Sequence, residues 1–413
     1  MLESVRVLDL TRVLAGPFAT MVLADLGAEV IKVEGPNAPD YTRSIAPLAG
    51  EMSHYFISAN RGKKSCCIDL KSERGALLAL DLVRRCDVVV ENFRPGVMER
   101  LGLGYEALKA VRPDIVLCSV TGFGQAGPLA RQASVDTVVQ ALAGVMSVNG
   151  EAEGPPLKLG LPIGDLAGAM WAAVGVLAAL HRRQVTGRGA HVDVSLLDAL
   201  VSQLSYLAEL YLVTGESPAR AGSRHHTVPA YGPYDVKDGR MVLAAQMDGF
   251  WRRFCEAAGR PELAVDPRFQ TVPERRRHYA EVEEVVAGIM ETKGVEEWRR
   301  LLQDADVPHA PILSVAEALE SPHSRERGLV QEVEQLGAGK VRVLAPTLKF
   351  EDAPAPSELR GAPRLGEHTR EVLTSVLGLS PGEVDALVAD GVVLEARAED
   401  LDRAPGGREG APP

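Results

Sequence analysis

The feature that most constrains this chain is the alternation of short apolar runs with helical segments through its first 200 residues. Val5–Leu10 reads as a strand and Pro17–Leu26 as a helix, joined by the turn Leu14-Ala15-Gly16-Pro17, with Pro17 suited to an early helical position. Glu29–Glu34, Lys64–Leu70, Asp87–Glu91 and Asp114–Val120 read as further strands, with helices over Glu73–Arg85 and Tyr105–Val111 between them. Apolar strands spaced by helices of this length fold as a parallel sheet with helices on its faces, which sets the fold class as α/β.

The second organising stretch is Gly160-Leu161-Pro162-Ile163-Gly164-Asp165, which runs into a helix without charge from Leu166 to Leu180. A carboxylate at a helix start is held as an anion by free backbone N–H groups and the helix dipole. From the residues alone Asp165 is either an N-cap or a reactive group. Gly164, Ala167 and Gly168 leave room for a bulky partner, and carboxylates serve as covalent nucleophiles. The uncharged run falls short of the roughly 20 residues a bilayer requires, so it is expected to be a buried core helix.

Thr186-Gly187-Arg188-Gly189 stops that helix, and His191–Ser195 follows as a strand candidate. Leu197, Leu200, Leu204, Leu207 and Tyr211 recur at helical spacing and are expected to pack in a core. Near Thr227 the pattern changes. Tyr231–Val236 and Met241–Ala245 flank Lys237-Asp238-Gly239-Arg240 as a hairpin, and helical segments follow at Phe250–Ala258, Tyr279–Glu291 and Val295–Asp304. Residues 225–325 are expected to form a smaller α+β domain. A strand-like run returns at Lys340–Leu348, then a proline-rich linker and a helix from about Thr369; residues 396–413 have a disordered composition.

A net charge of −11 disfavours nucleic acid or an anionic membrane as partner, though not a local basic pocket. Five cysteines without a Cys-x-x-Cys, and nine scattered histidines, indicate neither a disulfide framework nor a metal site. With no signal peptide evident, the expected location is the cytoplasm. Gly122-Phe123-Gly124-Gln125-Ala126-Gly127 matches the dinucleotide fingerprint in letters only. Pro128 stands where a helix would open, and several strands precede it, so a glycine-rich loop near a ligand is the better reading.

Glu91-Asn92-Phe93-Arg94-Pro95-Gly96 ends a strand, where open parallel sheets bind ligands; it is either a nucleotide-holding segment or a plain turn. Asn60-Arg61-Gly62-Lys63-Lys64 and Lys71 are either solvated surface or a phosphate pocket.

Together these segments resemble the class III coenzyme A-transferase family, the group of formyl-CoA transferase, carnitine CoA-transferase and α-methylacyl-CoA racemase. The matching pieces are Leu8-Asp9-Leu10-Thr11-Arg12-Val13-Leu14-Ala15-Gly16-Pro17, Ala24–Glu34, Asn60–Ser65, Glu91–Gly96, Gly122-Phe123-Gly124, Gly164-Asp165 and Leu365-Gly366-Glu367-His368-Thr369. The resemblance implies a Rossmann-like large domain built from residues 1–224 and a return segment 326–395, with the small domain between them. It also implies an interlocked homodimer.

It further implies that Asp165 is the nucleophile, attacking an acyl-CoA thioester and carrying CoA as an aspartyl thioester. By position, the implied CoA contacts are Val13, Ile68, Lys71, Asn92, Phe93, Arg94, Arg100 and Leu101. No tightly bound cofactor is implied; the CoA thioester is a substrate, along with a small carboxylic acid. Leu14 stands where formyl-CoA transferase has Gln, and that enzyme's long glycine-rich loop has no counterpart, which argues against formyl or oxalyl substrates. The racemase branch carries its His in Gly-His-Asp, and here that place reads Ser134-Val135-Asp136. A CoA-binding protein without turnover is the third reading. Arg224, His225 and His226 are either acceptor-binding groups or exposed loop residues.

Overall fold

The computed structural model describes residues 1–352 and 359–396. The chain divides into two compact units, one of residues 1–143, 160–204 and 322–413, the other of 144–159 and 205–321. The second unit thus starts some way before residue 225 and takes in a segment from ahead of Asp165.

The first unit is built on a seven-stranded sheet. Its strands are β1 (Arg6–Asp9), β2 (Glu29–Glu34), β3 (Lys64–Ile68), β4 (Val88–Glu91), β5 (Val116–Thr121), β6 (Ala190–Ser195) and β7 (Val393–Leu394). The order is β7-β3-β2-β1-β4-β5-β6, parallel except for β7, which runs antiparallel to β3. The helices that matter below are α1 (Ala15–Asp25), α2 (Glu73–Arg84), α3 (Asp136–Leu142), α4 (Ile163–Thr186), α5 (Leu196–Gln203), α6 (Thr369–Ser375) and α7 (Pro381–Ala389).

Strand alternation separates the two faces of the sheet chemically. Leu8, Ile31, Val33, Cys66, Ile68, Val89 and Leu117 share one apolar core with Leu78 and Leu82 of α2, Val372 and Leu373 of α6, and Val384 and Leu387 of α7. The intervening positions place Asp9, Lys32, Glu34 and Ser65 on the opposite face, all fully buried or nearly so. Register sets Asp9 beside Lys32 and Lys32 beside Ser65. These charges survive desolvation because each is saturated. Asp9 accepts from the Thr11 amide (2.9 Å), the Thr11 hydroxyl (2.5 Å), the Thr20 hydroxyl (2.7 Å) and Lys63 Nζ (2.9 Å). Lys63 Nζ also donates to the carbonyl of Pro17 and to Asn60 Oδ1, each at 2.9 Å.

Burial pushes the Asp9 carboxyl up, but the ammonium groups of Lys63 and Lys32 and the Thr11 hydroxyl outweigh it and hold it at about 2. Burial draws Lys63 down to about 8, which leaves it charged at neutral pH.

The sequence reading of the basic cluster is corrected here. Arg61 is paired bidentately with Asp25, Lys63 is buried as described, and Lys64 bridges Glu29 and Glu371. Arg61 and Lys63 precede β3 and Lys64 is its first residue, at the end of the sheet away from where ligands bind. They are tethers, neither free surface nor a phosphate pocket.

The helix after Asp165 runs 24 residues, beyond its uncharged run at both ends, so by length and composition it is able to cross a bilayer. It is instead packed by its small residues, among them Ala167, Gly168, Ala169, Ala172, Ala173, Val176 and Ala179. A Cβ on Gly168 would sit 2.1 Å from Leu196 Cδ2, so α5 approaches closely only because that position is glycine. The expected core helix from Leu197 to Tyr211 is broken. After α5, Ser205 takes φ 49° and a separate helix spans Tyr206–Thr214, on which Tyr211 is exposed and no residue is buried.

Among the described residues, the strand-like return at Lys340–Leu348 does not join the main sheet. Gly339–Leu344 pairs with Val330–Gln335 in a two-stranded sheet, and β7 is what closes the large sheet. Short strands of mixed polarity gave no signal to separate the two cases. Residues 353–358 of the proline-rich linker and 397–413 of the tail lie outside the described residues.

In the second unit, the hairpin Tyr231–Val236 and Gly239–Ala244 gains a third strand, His309–Pro311. Its core is aromatic, with Trp251, Phe254, Phe269 and Trp298 all buried under helices Asp248–Ala257, Tyr279–Met290 and Val295–Asp304.

Replacing Lys63 with Met strands the Asp9 carboxylate beside fewer cations and is expected to cost about 3–5 kcal/mol in urea denaturation. Lys64→Met, which opens partly exposed pairs, is expected to cost about 1 kcal/mol or less. The folded-state pKa of Asp9 lies below its ordinary 3.8. Its contribution is therefore complete above that value and lost as pH falls through about 2, so Lys63→Met should flatten the acid side of the stability profile.

Candidate active site

The strand order reverses at β1, which lies between β2 and β4, and the loops beyond these carboxyl ends converge there. Asn92, immediately after β4, ties the two loops together. Its Oδ1 accepts from the Arg12 amide at 2.8 Å and its Nδ2 donates to the Arg12 carbonyl at 2.7 Å. The Arg12 guanidinium lies over the Phe93 ring, 5.6 Å from its centroid.

Val13 has φ 71°, a conformation that costs a β-branched residue about 1–3 kcal/mol unless its surroundings enforce it. Its amide is fixed between Asp40 Oδ1 (3.2 Å) and Oδ2 (3.1 Å). Asp40 in turn lies 3.3 Å from Lys32 Nζ, which donates to the Thr11 carbonyl at 2.6 Å. The buried face of the sheet thus sets the shape of the loop at its edge.

The structure brings Val13, Asn92 and Phe93 to this switch point, with Arg94 exposed on the same loop. Arg100 and Leu101 end the short helix Val97–Arg100 that follows; Arg100 is exposed, while Leu101 packs on the core. Lys71 is exposed just beyond β3. Ile68 is fully buried in the core, so its side chain is not offered to a ligand. The Gly122–Gly127 loop follows β5 and opens no helix; the carboxylate of Asp193 holds it by accepting the Gln125 amide at 3.0–3.1 Å.

Asp165 is not the helix cap. The α4 cap position is Pro162, which has no capping side chain, and Asp165 sits in the first turn. Asp136 does the capping from α3. Its Oδ1 accepts from the amides of Gly164 (2.8 Å) and Asp165 (3.3 Å), and its Oδ2 from Gln140 Nε2 (2.7 Å). Among the described residues the Asp165 carboxylate has no hydrogen-bonding partner. Burial and then the Asp136 charge raise it to about 7. A half-buried carboxylate with an elevated pKa and no structural duty is a candidate nucleophile or proton acceptor.

Sequence reasoning missed three further groups. Asp136 appeared only as the neighbour of a missing histidine; its spacing to Gln140 was legible, but not its reach across to α4. Tyr55, on the helix His54–Asn60, lies in the field of Asp165 and Asp136; burial first and then those charges raise its hydroxyl pKa. Glu91 is buried at the end of β4, accepts the Phe93 amide at 2.8 Å and is pushed by burial to about 7.

In the second unit, Arg224 is committed to Glu283 and lies over Tyr234, 4.5 Å from its centroid. The His225 ring stacks between Tyr206 and Tyr231, 5.5 Å from each, and His226 Nε2 is buried without a partner. Of the three, Arg224 is least able to meet a second carboxylate.

Comparison with known proteins finds relatives along nearly the whole chain. The family model described as CoA-transferase family III matches residues 2–369. Mouse succinyl-CoA:glutarate CoA-transferase is 37% identical over 393 residues, covering 95% of this chain and 90% of the relative. Acetyl-CoA:oxalate CoA-transferase of Acetobacter aceti is 37% identical over 366 residues, covering 88% and 93%. The crystal structure of a CAIB/BAIF family protein from Brucella suis superposes with a TM-score of 0.79 at 34% identity, over 91% of this chain and 98% of that one.

Asp136→Asn keeps an oxygen for the α4 amides, and a turned Gln140 amide can meet the new NH2 group. Removing the like charge lowers the Asp165 pKa, so the ascending limb of kcat/KM against pH, set near 7, is expected to move to lower pH. Parallel pH profiles of the two proteins test this.

Proposed function

The chain belongs to CoA-transferase family III, and from that premise we propose that it moves CoA from an acyl-CoA, succinyl-CoA foremost, to a small carboxylic acid through an aspartyl–CoA thioester on Asp165. The observation that carries this is the division of labour between two carboxylates. Asp136 caps the helix, which leaves Asp165 free to react.

The Asp165 carboxylate attacks the donor thioester carbonyl, forming an acyl–aspartyl anhydride and releasing CoA thiolate. The thiolate attacks the aspartyl carbonyl, expelling the donor acid and leaving the aspartyl–CoA thioester. The acceptor carboxylate then displaces CoA thiolate to form a second anhydride. Thiolate attack at the acceptor carbonyl yields the new acyl-CoA and returns Asp165. Only the first attack needs Asp165 as a free anion; from then on it is acylated, until the last step releases it.

In this reading Val13, Asn92, Phe93, Arg94, Arg100, Leu101 and Lys71 surround CoA, with Ile68 contributing backbone only. The order β3-β2-β1-β4-β5-β6 supports a Rossmann-like large domain. Exposed Met170, Trp171 and Val174 on α4, and Tyr211, Leu212 and Val213 on the second unit, support a homodimer that covers them. A cytoplasmic location without membrane attachment belongs to the same proposal. Two-base racemisation lacks a group, because the residue at its histidine place is Val135, an exposed side chain that exchanges no proton. Oxalate belongs in the acceptor panel despite Leu14, since the Acetobacter relative is named for it.

Asp165→Asn is expected to reduce transfer at least about a thousandfold. Incubation with succinyl-CoA should give a hydroxylamine-sensitive adduct on the Asp165 peptide of the wild type alone, read by mass spectrometry. Deuterium entering the α-carbon without an acceptor would instead indicate the racemase, and CoA binding with neither outcome a non-catalytic protein. The raised pKa means that the folded state disfavours the anion, so at pH 8 Asp165→Asn should melt no lower than the wild type.

A further inference from the structure

We propose that Asp40 is a positioning residue for the CoA-binding loop, clamping Val13 in the left-handed conformation that presents it to the substrate. The inference rests on the proposed CoA site and adds a residue that touches no substrate, for Asp40 is completely buried.

Its two oxygens are fully subscribed. Oδ1 accepts from the Thr42 amide (3.1 Å), the Thr42 hydroxyl (2.8 Å) and the Val13 amide, while Oδ2 accepts from the Val13 amide and faces Lys32 Nζ. The Asp40 amide donates to Glu34 Oε1 at 3.0 Å, and Glu34 is held bidentately by Arg43. The clamp is therefore anchored through β2, which carries both Lys32 and Glu34.

The local sequence offers no other reason for φ 71° at Val13. A β-branched residue avoids that basin, and no glycine, Asn or Asp stands there to favour it. What enforces it is an anion placed to accept the amide, with the neighbouring Arg12 amide and carbonyl taken by Asn92. Both backbone groups of Arg12 and the amide of Val13 are thus spent inward, and the Val13 side chain is the part of the loop left for the ligand.

An amide in place of the carboxylate cannot reproduce this. Asn at position 40 must turn its NH2 group either toward Lys32 and Val13 or toward Thr42, and every one of those groups is already a donor. With the clamp gone, Val13 relaxes toward the right-handed basin and the loop loses its binding shape. Glycine at position 13 adopts positive φ without strain and depends far less on the clamp.

The test is a cycle of wild type, Asp40→Asn, Val13→Gly and the double variant. It is read as KM for the acyl-CoA donor, kcat, and CoA binding by calorimetry, with melting temperatures alongside. Asp40→Asn should raise the donor KM about tenfold while kcat stays within about threefold, and in the Val13→Gly background the same step should shrink to about twofold.

A merely structural loss would lower melting temperature and active fraction alike in both backgrounds. Equal KM effects in the two backgrounds, or a loss confined to kcat, would overturn the clamp. Should Asp40→Asn not fold, Asp40→Glu keeps the counter-charge for Lys32 while displacing the acceptor, and takes its place in the cycle. A wild type that transfers CoA but shows no coupling removes this inference alone. A wild type that binds no CoA removes the function and the inference together.

Discussion

The structure depends on four charges that water never reaches. Asp9, Lys32, Asp40 and Lys63 are buried on one face of the sheet, and removing any partner would leave an ion unmatched in a medium that punishes it. Together they hold the loop after β1 and the start of α1. Lys63 holds the carbonyl of Pro17 in α1, Lys32 holds Thr11, Asp40 holds Val13, and Asp9 gathers Thr11 and Thr20. The network therefore transmits the rigidity of the strands into the loop where they end. A purely apolar face would pack as well, but it would not dictate the path of that loop.

Asp136 and Asp165 show how two similar groups take different duties from their surroundings. One is saturated by amides and serves the backbone; the other is left bare and driven toward neutrality by burial and its neighbour. A carboxylate that titrates near neutral pH is a costly occupant of a helix start. That cost identifies it, since a site tuned only for stability would carry an amide there.

The strands and most helices were legible because their periods are strong. Glu29–Glu34, Tyr105–Val111 and Val295–Asp304 fall where the pattern puts them. What escaped was tertiary. Arg61, Lys63 and Lys64 read as either solvated surface or a phosphate pocket because charge in sequence does not reveal its partner, and Asp25, Asp9 and Glu29 lie well away along the chain. Asp165 read as either a cap or a reactive group, and the choice was hidden because the real cap comes from another helix. The regular spacing from Leu197 to Tyr211 concealed a break at Ser205, a residue with no local signal for positive φ. The proposed nucleophile and the residues proposed around CoA came from the family pattern, which records such arrangements without explaining them.

The closure of the large sheet by β7 has a consequence for biosynthesis. Val393–Leu394 pairs with β3, and the Ser65 amide donates to the His368 ring 303 residues further along the chain. On the ribosome the early strands emerge long before their edge partner exists, so β3 stays an uncovered edge through most of translation. The inserted unit, residues 144–159 and 205–321, is by contrast complete in sequence well before β7 is made. The last pairing of the large sheet is thus also the most distant in sequence, and long-range pairings of this kind slow folding and leave a strand edge exposed while they wait.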